Sequence, residues 1–190
     1  MNQLYPIFLK VNQLNVLIIG AGKVGHEKLG MMLKSSPEAN VRVIAKTYSS
    51  EILAICSQHK VSTQTKAFEV NDLTDADIVI AATNDIEVNK TIYQECKKKK
   101  ILVNVADTPT LCDFYLGGIV TKGELKVAIS TNGKSPTAAK RLRQFFEQIL
   151  PDSIDELLLN LNTFRSKVGG SLESKVSKLN KLTKEFIQKD

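Results

Sequence analysis

Three glycines, Gly20, Gly22 and Gly25, directly follow the apolar run "NVLII" and lead into the helical pattern "GHEKLGMMLKSS". That spacing has a use. The first glycine permits a tight turn, the second lets the backbone approach a pyrophosphate, and the third lets helix and strand pack closely. The helix start then offers unpaired N–H groups and a partial positive charge to phosphate. The pattern predicts a bound dinucleotide; the alternative is a domain of the same shape without a ligand. Where an acid would hold the ribose hydroxyls of NAD, the chain has Lys46 and Thr47. Lys46 is compatible with a 2′-phosphate, so the bare pattern leaves NAD and NADP both open. Thr83 and Asn84, in "AATND", close a buried run and are candidates to contact the cofactor, although Asn and Asp also favour turns. Asp107 ends "LVNVAD" and is a candidate catalyst beside a nicotinamide, although an Asp before Thr-Pro is more often a turn former.

These residues need a sheet edge to bring them together. Short apolar runs at 15–20, 41–45, 76–83 and 101–107, with a weaker one at 62–68, read as strands. Helical patterns at 25–36, 49–59 and 86–99 separate them, the second opened by Ser49 or Ser50 as a cap. Strands alternating with helices predict an α/β fold, a parallel sheet with helices on both faces. The alternation stops after residue 107. Two extended segments bend near Gly123 like a hairpin, and 135–150 reads as a helix with Ser135 as N-cap and Pro136 at its first position. Pro151 stops that helix. The tail is helical, with Ser153 and Glu156 in capping-box spacing, a break at Gly169-Gly170, and Leu172, Val176, Leu179, Leu182 and Phe186 along one face.

The 190 residues suffice for one full core plus an appendage. No apolar run approaches the length of a membrane span, and the N-terminus lacks the pattern of a signal peptide, so the expectation is a cytoplasmic protein with no membrane partner. Three cysteines far apart, Cys56, Cys96 and Cys112, fit reduced thiols. The formal charge of +6 is concentrated locally: Lys134, Lys140, Arg141 and Arg143 face one acid, Glu147, and Lys97–Lys100 form a second run, read as a solvated helix end. No pattern of nucleic-acid recognition accompanies these cations, so no nucleic acid is expected as partner.

The stretches "YPIFLKV", "VLIIGAGKVGHEK", "IVIAATND", "LVNVADTPTLCDFY" and "VAISTNGKSPTAAKRLR" occur in that order across about residues 4–151. Together they resemble the precorrin-2 dehydrogenase family of siroheme synthesis, which includes the dehydrogenase–ferrochelatase module of multifunctional siroheme synthases. The resemblance implies a Rossmann-like sheet (1–112), a hairpin and helix dimerisation region (113–150) and a helical C-terminal domain (151–190). It implies NAD-dependent oxidation of precorrin-2, a tetrapyrrole with eight carboxylates, to sirohydrochlorin, by a homodimer. The family generally lacks the ribose-binding acid, so Lys46 does not count against NAD. By position, Lys23 and Val24 match phosphate-loop contacts, Lys46 and Thr47 match contacts after the second strand, and Asp107 matches the catalytic aspartate. Thr131 falls where relatives have a serine near the tetrapyrrole. Lys134 and Arg141, beside Ser135, then suit the substrate's carboxylates.

Some members also insert iron. The only histidines are His26 and His59, and no cluster has metal-ligand spacing, so no metal site is expected. The reading favours a dehydrogenase whose chelation is done elsewhere, with a bifunctional ferrochelatase as the alternative; no methyltransferase domain is recognisable. From a different class, the chain would be an NAD(H)-sensing module with its helical tail as effector surface.

Overall fold

The structure, a computed structural model, describes residues 2–184. Five strands, β1 (Val16–Ile19), β2 (Val41–Ala45), β3 (Val61–Thr65), β4 (Ile78–Ala81) and β5 (Leu102–Val105), form a parallel sheet in the order β3-β2-β1-β4-β5. α1 (Lys23–Ser35) and α2 (Ser50–Gln58) follow β1 and β2, and α3 (Ile86–Lys99) follows β4.

β1 and β4 are buried at every position because both faces of the sheet are covered. The two-residue period of a strand sorts their side chains into two cores. Val16, Ile18, Val43 and Ile80 pack with Leu29 and Leu33 of α1 and Ile52 of α2. Leu17, Ile19, Val79 and Val103 pack on the other face with Ile92 and Cys96 of α3. Ile18 and Ile80 are wholly buried, and truncating either to alanine costs about 2–5 kcal/mol.

β3 is the polar edge strand, with Ser62 to Thr65 exposed. Tyr48 ties it to β2. The phenol oxygen lies 2.8 Å from the carbonyl oxygens of both Val43 and Gln64 and accepts the Gln64 N–H at 3.1 Å. Burial pushes the Tyr48 hydroxyl up from its ordinary value, which keeps its proton available for donation.

The link from β3 to β4 carries a 3-10 turn, Val70–Leu73, that periodicity does not announce. Buried Asp72 accepts the Glu69 N–H at 2.8 Å and pairs with Lys66 at 3.0 Å, while Arg42 donates to the Asp72 carbonyl at 2.7 Å. Ser49 caps α2, accepting the Ile52 N–H, and Asp85 caps α3, accepting from Glu87 and Val88. α3 ends at Lys100 with φ 59°, and its last-turn lysines behave as a helix end: Lys97 pairs with Asp113 at 2.6 Å and Lys98 with Glu95 at 2.5 Å.

β6 (Gly118–Lys122) and β7 (Leu125–Ile129) form a separate two-stranded sheet, followed by α4 (Pro136–Ile149), α5 (Ile154–Lys167) and α6 (Leu172–Thr183). The chain divides into two compact units. One takes the chain to Gly118 together with Ser130–Ala139; the other takes Ile119–Ile129 and the chain from Lys140. In the second unit Gly123 turns the hairpin at φ 54°, and a side chain there would overlap the Asp155 carboxylate. That carboxylate accepts the Glu124 N–H at 2.7 Å.

The expected capping box of α5 does not form. Ser153 lies in the right-handed helical region with no side-chain bond to the helix start. A capping serine needs extended backbone, but the chain enters α5 through a tight turn in which Ile154 N–H donates to Pro151 C=O at 3.2 Å. α6 is capped by Ser171 instead. Of the tail's expected apolar face, Phe186 lies outside the described residues.

Candidate functional site

The strand order reverses between β1 and β4, and ligands of such sheets bind in the crevice at the carboxyl ends of those strands. Gly20 leaves β1 at φ 110°, its N–H donating to Ile44 C=O at 2.8 Å. A Cβ on Gly20 would overlap the Ala82 carbonyl just past β4, and one on Gly25 would overlap the Gly20 carbonyl. Two of the three glycines are thus fixed by packing. Gly22 is different: a Cβ there would meet nothing within 4 Å. It is the N-cap of α1, its φ is −80°, and neither a side-chain cap nor an acid serves that helix start. Lys23 is exposed and Val24 half-buried in the first turn. Packing does not demand glycine at position 22, whereas close approach of a pyrophosphate to an uncapped helix start does. The loop fits a dinucleotide.

Parallel register carries the other candidates to the same edge. Ile19 is level with Ile44 and with Ala81, and Ala81 with Val105. One step further, Ala82 N–H donates to Ile19 C=O at 2.8 Å and Ala106 N–H to Ala81 C=O at 2.9 Å. Lys46 and Thr47 therefore leave β2 on one side of the glycine loop, both exposed. Thr83 leaves β4 and Asp107 leaves β5 on the other side. Asp107 stands two strands from Gly20, about 10 Å across the sheet.

The Thr83 hydroxyl lies 2.7 Å from the side-chain oxygen of buried Asn89 and accepts the Asp85 N–H at 3.2 Å. Asn89 also donates to the Thr83 carbonyl at 3.0 Å. The turn is held from beneath by α3, and Asn84 stands exposed at its crest. Sequence reasoning missed Asn89; the available signal was a polar residue on the apolar face of a helix.

Asp107 is exposed and sits at φ 58°. It occupies the third position of a turn closed by Thr108 N–H to Val105 C=O at 3.2 Å. Glycine or asparagine is the usual occupant of a positive-φ turn position, and Asp tolerates it at some cost. After the turn the chain doubles back along β5: Asp113 N–H donates to Val103 C=O at 2.8 Å, and the Asp113 carboxylate accepts the Val103 N–H at 3.1 Å.

The Thr131–Ser135 loop belongs to the same unit as the sheet. Asn132 and Gly133 both have positive φ, 54° and 73°, in a turn closed by Lys134 N–H to Thr131 C=O at 3.1 Å. The Thr131 hydroxyl accepts the Ser135 N–H at 3.2 Å, and the Ser135 hydroxyl caps α4 by accepting the Ala138 N–H at 3.1 Å. Lys134 is exposed beside it. Arg141 falls in the second unit; it is exposed and donates to Gln144 at 3.0 Å. Arg143 is paired with Glu147. Among the described residues no three His, Cys, Asp or Glu side chains are grouped to hold a metal ion, and no helix is long and apolar enough to cross a membrane.

Comparisons with known proteins place the chain in a family. A family described as "Putative NAD(P)-binding" matches residues 7–118, and one described as sirohaem biosynthesis protein, central, matches 122–149. The siroheme synthase of Buchnera aphidicola subsp. Acyrthosiphon pisum is 37% identical over 152 residues, covering 80% of this chain and 32% of its own. That of Pseudoalteromonas atlantica is 33% identical over 172 residues, covering 90% of this chain and 37% of its own. The chain thus spans about a third of the length of these curated relatives. A solved structure of SirC, precorrin-2 dehydrogenase, superposes with a TM-score of 0.77 at 25% identity, covering 97% of this chain and 90% of that one.

Proposed function

Because the chain belongs to the NAD(P)-binding family of siroheme biosynthesis, we propose that it is an NAD-dependent dehydrogenase that oxidises precorrin-2 to sirohydrochlorin. One observation carries the reading: a glycine loop open at Gly22 and a strained aspartate at position 107 share the carboxyl edge of one sheet. NAD, when bound, accepts the hydride. The chain's own work is to hold the pyrophosphate at the start of α1, to seat the two halves of the dinucleotide between Lys46–Thr47 and Thr83–Asn84, and to take the substrate proton. Asp107 is that proton acceptor, an exposed carboxylate at the mouth of the crevice. Lys134 answers a carboxylate of the tetrapyrrole from the loop that Thr131 and Ser135 shape, and Arg141 on α4 is a further cation suited to those carboxylates. The reaction balances as precorrin-2 plus NAD⁺ giving sirohydrochlorin, NADH and one proton.

The working division is a dinucleotide-binding domain over 1–112, a dimerisation region over 113–150 and a helical domain over 151–190. α4 supports the homodimer: Leu142, Phe145 and Ile149 form a stripe at helical spacing, 44%, 52% and 52% exposed, with Phe146 edge-to-face against Phe145 at 5.6 Å. A second copy is the occupant we assign to that stripe. The three free cysteines fit the reducing cytoplasm, where we place the enzyme.

The test pairs NAD titration with anaerobic turnover of precorrin-2. The wild-type protein is expected to bind NAD and turn over; Asp107→Ala is expected to bind NAD and not turn over. NAD binding by the wild-type protein with precorrin-2 left unchanged would make the chain an NAD(H)-sensing module instead.

A further inference from the structure

β5 reads Leu102-Val103-Asn104-Val105, so a carboxamide interrupts an apolar strand. Asn104 is 6% exposed. Burying a carboxamide is costly unless its polar atoms are bonded. Its Nδ2 donates to the Phe114 carbonyl at 2.8 Å and lies 3.4 Å from Cys112 Sγ. Cys112 Sγ in turn lies 3.2 Å from the Val105 carbonyl oxygen and 3.3 Å from that of Thr108. Val105 and Thr108 are the first and last residues of the turn that holds Asp107. Burial pushes the Cys112 thiol up from its ordinary value, so it keeps its proton at neutral pH and acts as a donor. One S–H serves one carbonyl at a time, and the sulfur sits across both ends of the turn.

A residue other than glycine at φ 58° persists where its surroundings over-determine it. We propose that Asn104 and Cys112 are positioning residues: the chain from Asn104 amide to Cys112 thiol to the turn carbonyls sets the Asp107 carboxyl in the place where it takes the substrate proton. This rests on the reading of Asp107 as that acceptor. Asn104 is buried, and each side chain acts through the turn.

The experiment is steady-state anaerobic kinetics with precorrin-2 and NAD on the full chain. Cys112→Ala removes the donor and is expected to lower kcat about tenfold, since small displacements of a catalytic group are costly, with KM for NAD unchanged. Cys112→Ser keeps an O–H donor and is expected to restore most of the loss. Cys56→Ala, in the α2 core, controls for loss of a buried thiol and is expected to leave kcat unchanged. A wild-type kcat in Cys112→Ala overturns the proposal, as does a serine variant no better than alanine, or an equal loss in Cys56→Ala. Asp107→Ala in the same series separates the two levels. Full turnover there overturns the Asp107 reading and this proposal with it; an inactive Asp107→Ala beside an unimpaired Cys112→Ala overturns the positioning alone.

Discussion

Replacing Asp107 with glycine is expected to abolish turnover without destabilising the fold. The left-handed region costs an ordinary L residue about 1–2 kcal/mol, less for Asp and Asn, and costs glycine nothing. Glycine gives back about 0.4–1 kcal/mol through its freer unfolded chain. At φ 58° the two effects nearly cancel for Asp107→Gly, which should melt close to the wild-type protein. Asp107→Ala keeps the backbone strain and loses the polar side chain that tolerates it. It should be about 1 kcal/mol less stable than the glycine variant, or about 2–4 °C in Tm for a chain of this size. Asp107→Asn should match the wild-type melt. All three lack the base and should lose roughly 100- to 10,000-fold in kcat. Thermal melts and anaerobic turnover on the same four proteins read both axes. An alanine variant as stable as the glycine variant would refute the strained turn. A glycine variant with wild-type kcat would refute the role of Asp107.

The glycine loop gives a second contrast. Gly22→Ala meets no atom and should melt normally while binding NAD more weakly, read by titration; Gly25→Ala, aimed into the Gly20 carbonyl, should lower Tm as well as binding. Alkaline stability should be limited by buried thiols. Burial holds the Cys96 thiol up to about 12, above its value near 9 when unfolded. The folded state therefore binds more protons between those values, and stability present below pH 9 is lost as pH rises, at up to about 1.4 kcal/mol per pH unit. Cys96→Ala should flatten that alkaline limb in denaturant titrations followed across pH 8–11. Phe145→Glu on the α4 stripe should shift the protein from dimer to monomer by light scattering.

Much of the sheet is legible in the sequence because β1 and β4 are buried on both faces and must be apolar throughout. Helical periodicity finds α3 at 86–99, and Ser135-Pro136 marks the start of α4, whereas the Asp85 cap of α3 emerges only in the structure. What escapes is tertiary. The 3-10 turn at Val70–Leu73 depends on Lys66 and Arg42 reaching back to Asp72, and no periodicity encodes that. The Ser153–Glu156 spacing is present, but the path of the chain after Pro151 leaves Ser153 helical and the cap unmade. At the site, the glycine loop announces itself through spacing. The positive φ of Asp107 does not, because nothing in Ala-Asp-Thr-Pro distinguishes a strained catalyst from a plain turn. Asn89 and Asn104 are visible only as polar interruptions of apolar patterns, and their partners lie six and ten residues away.

The most direct test of the central claim is a single anaerobic sample of the protein with precorrin-2 and NAD, in which NADH and sirohydrochlorin are recorded together by absorbance. A rise of both in one-to-one proportion, absent when NAD is withheld, is the predicted result. Sirohydrochlorin formed without NADH, or NAD bound with neither product appearing, would contradict it.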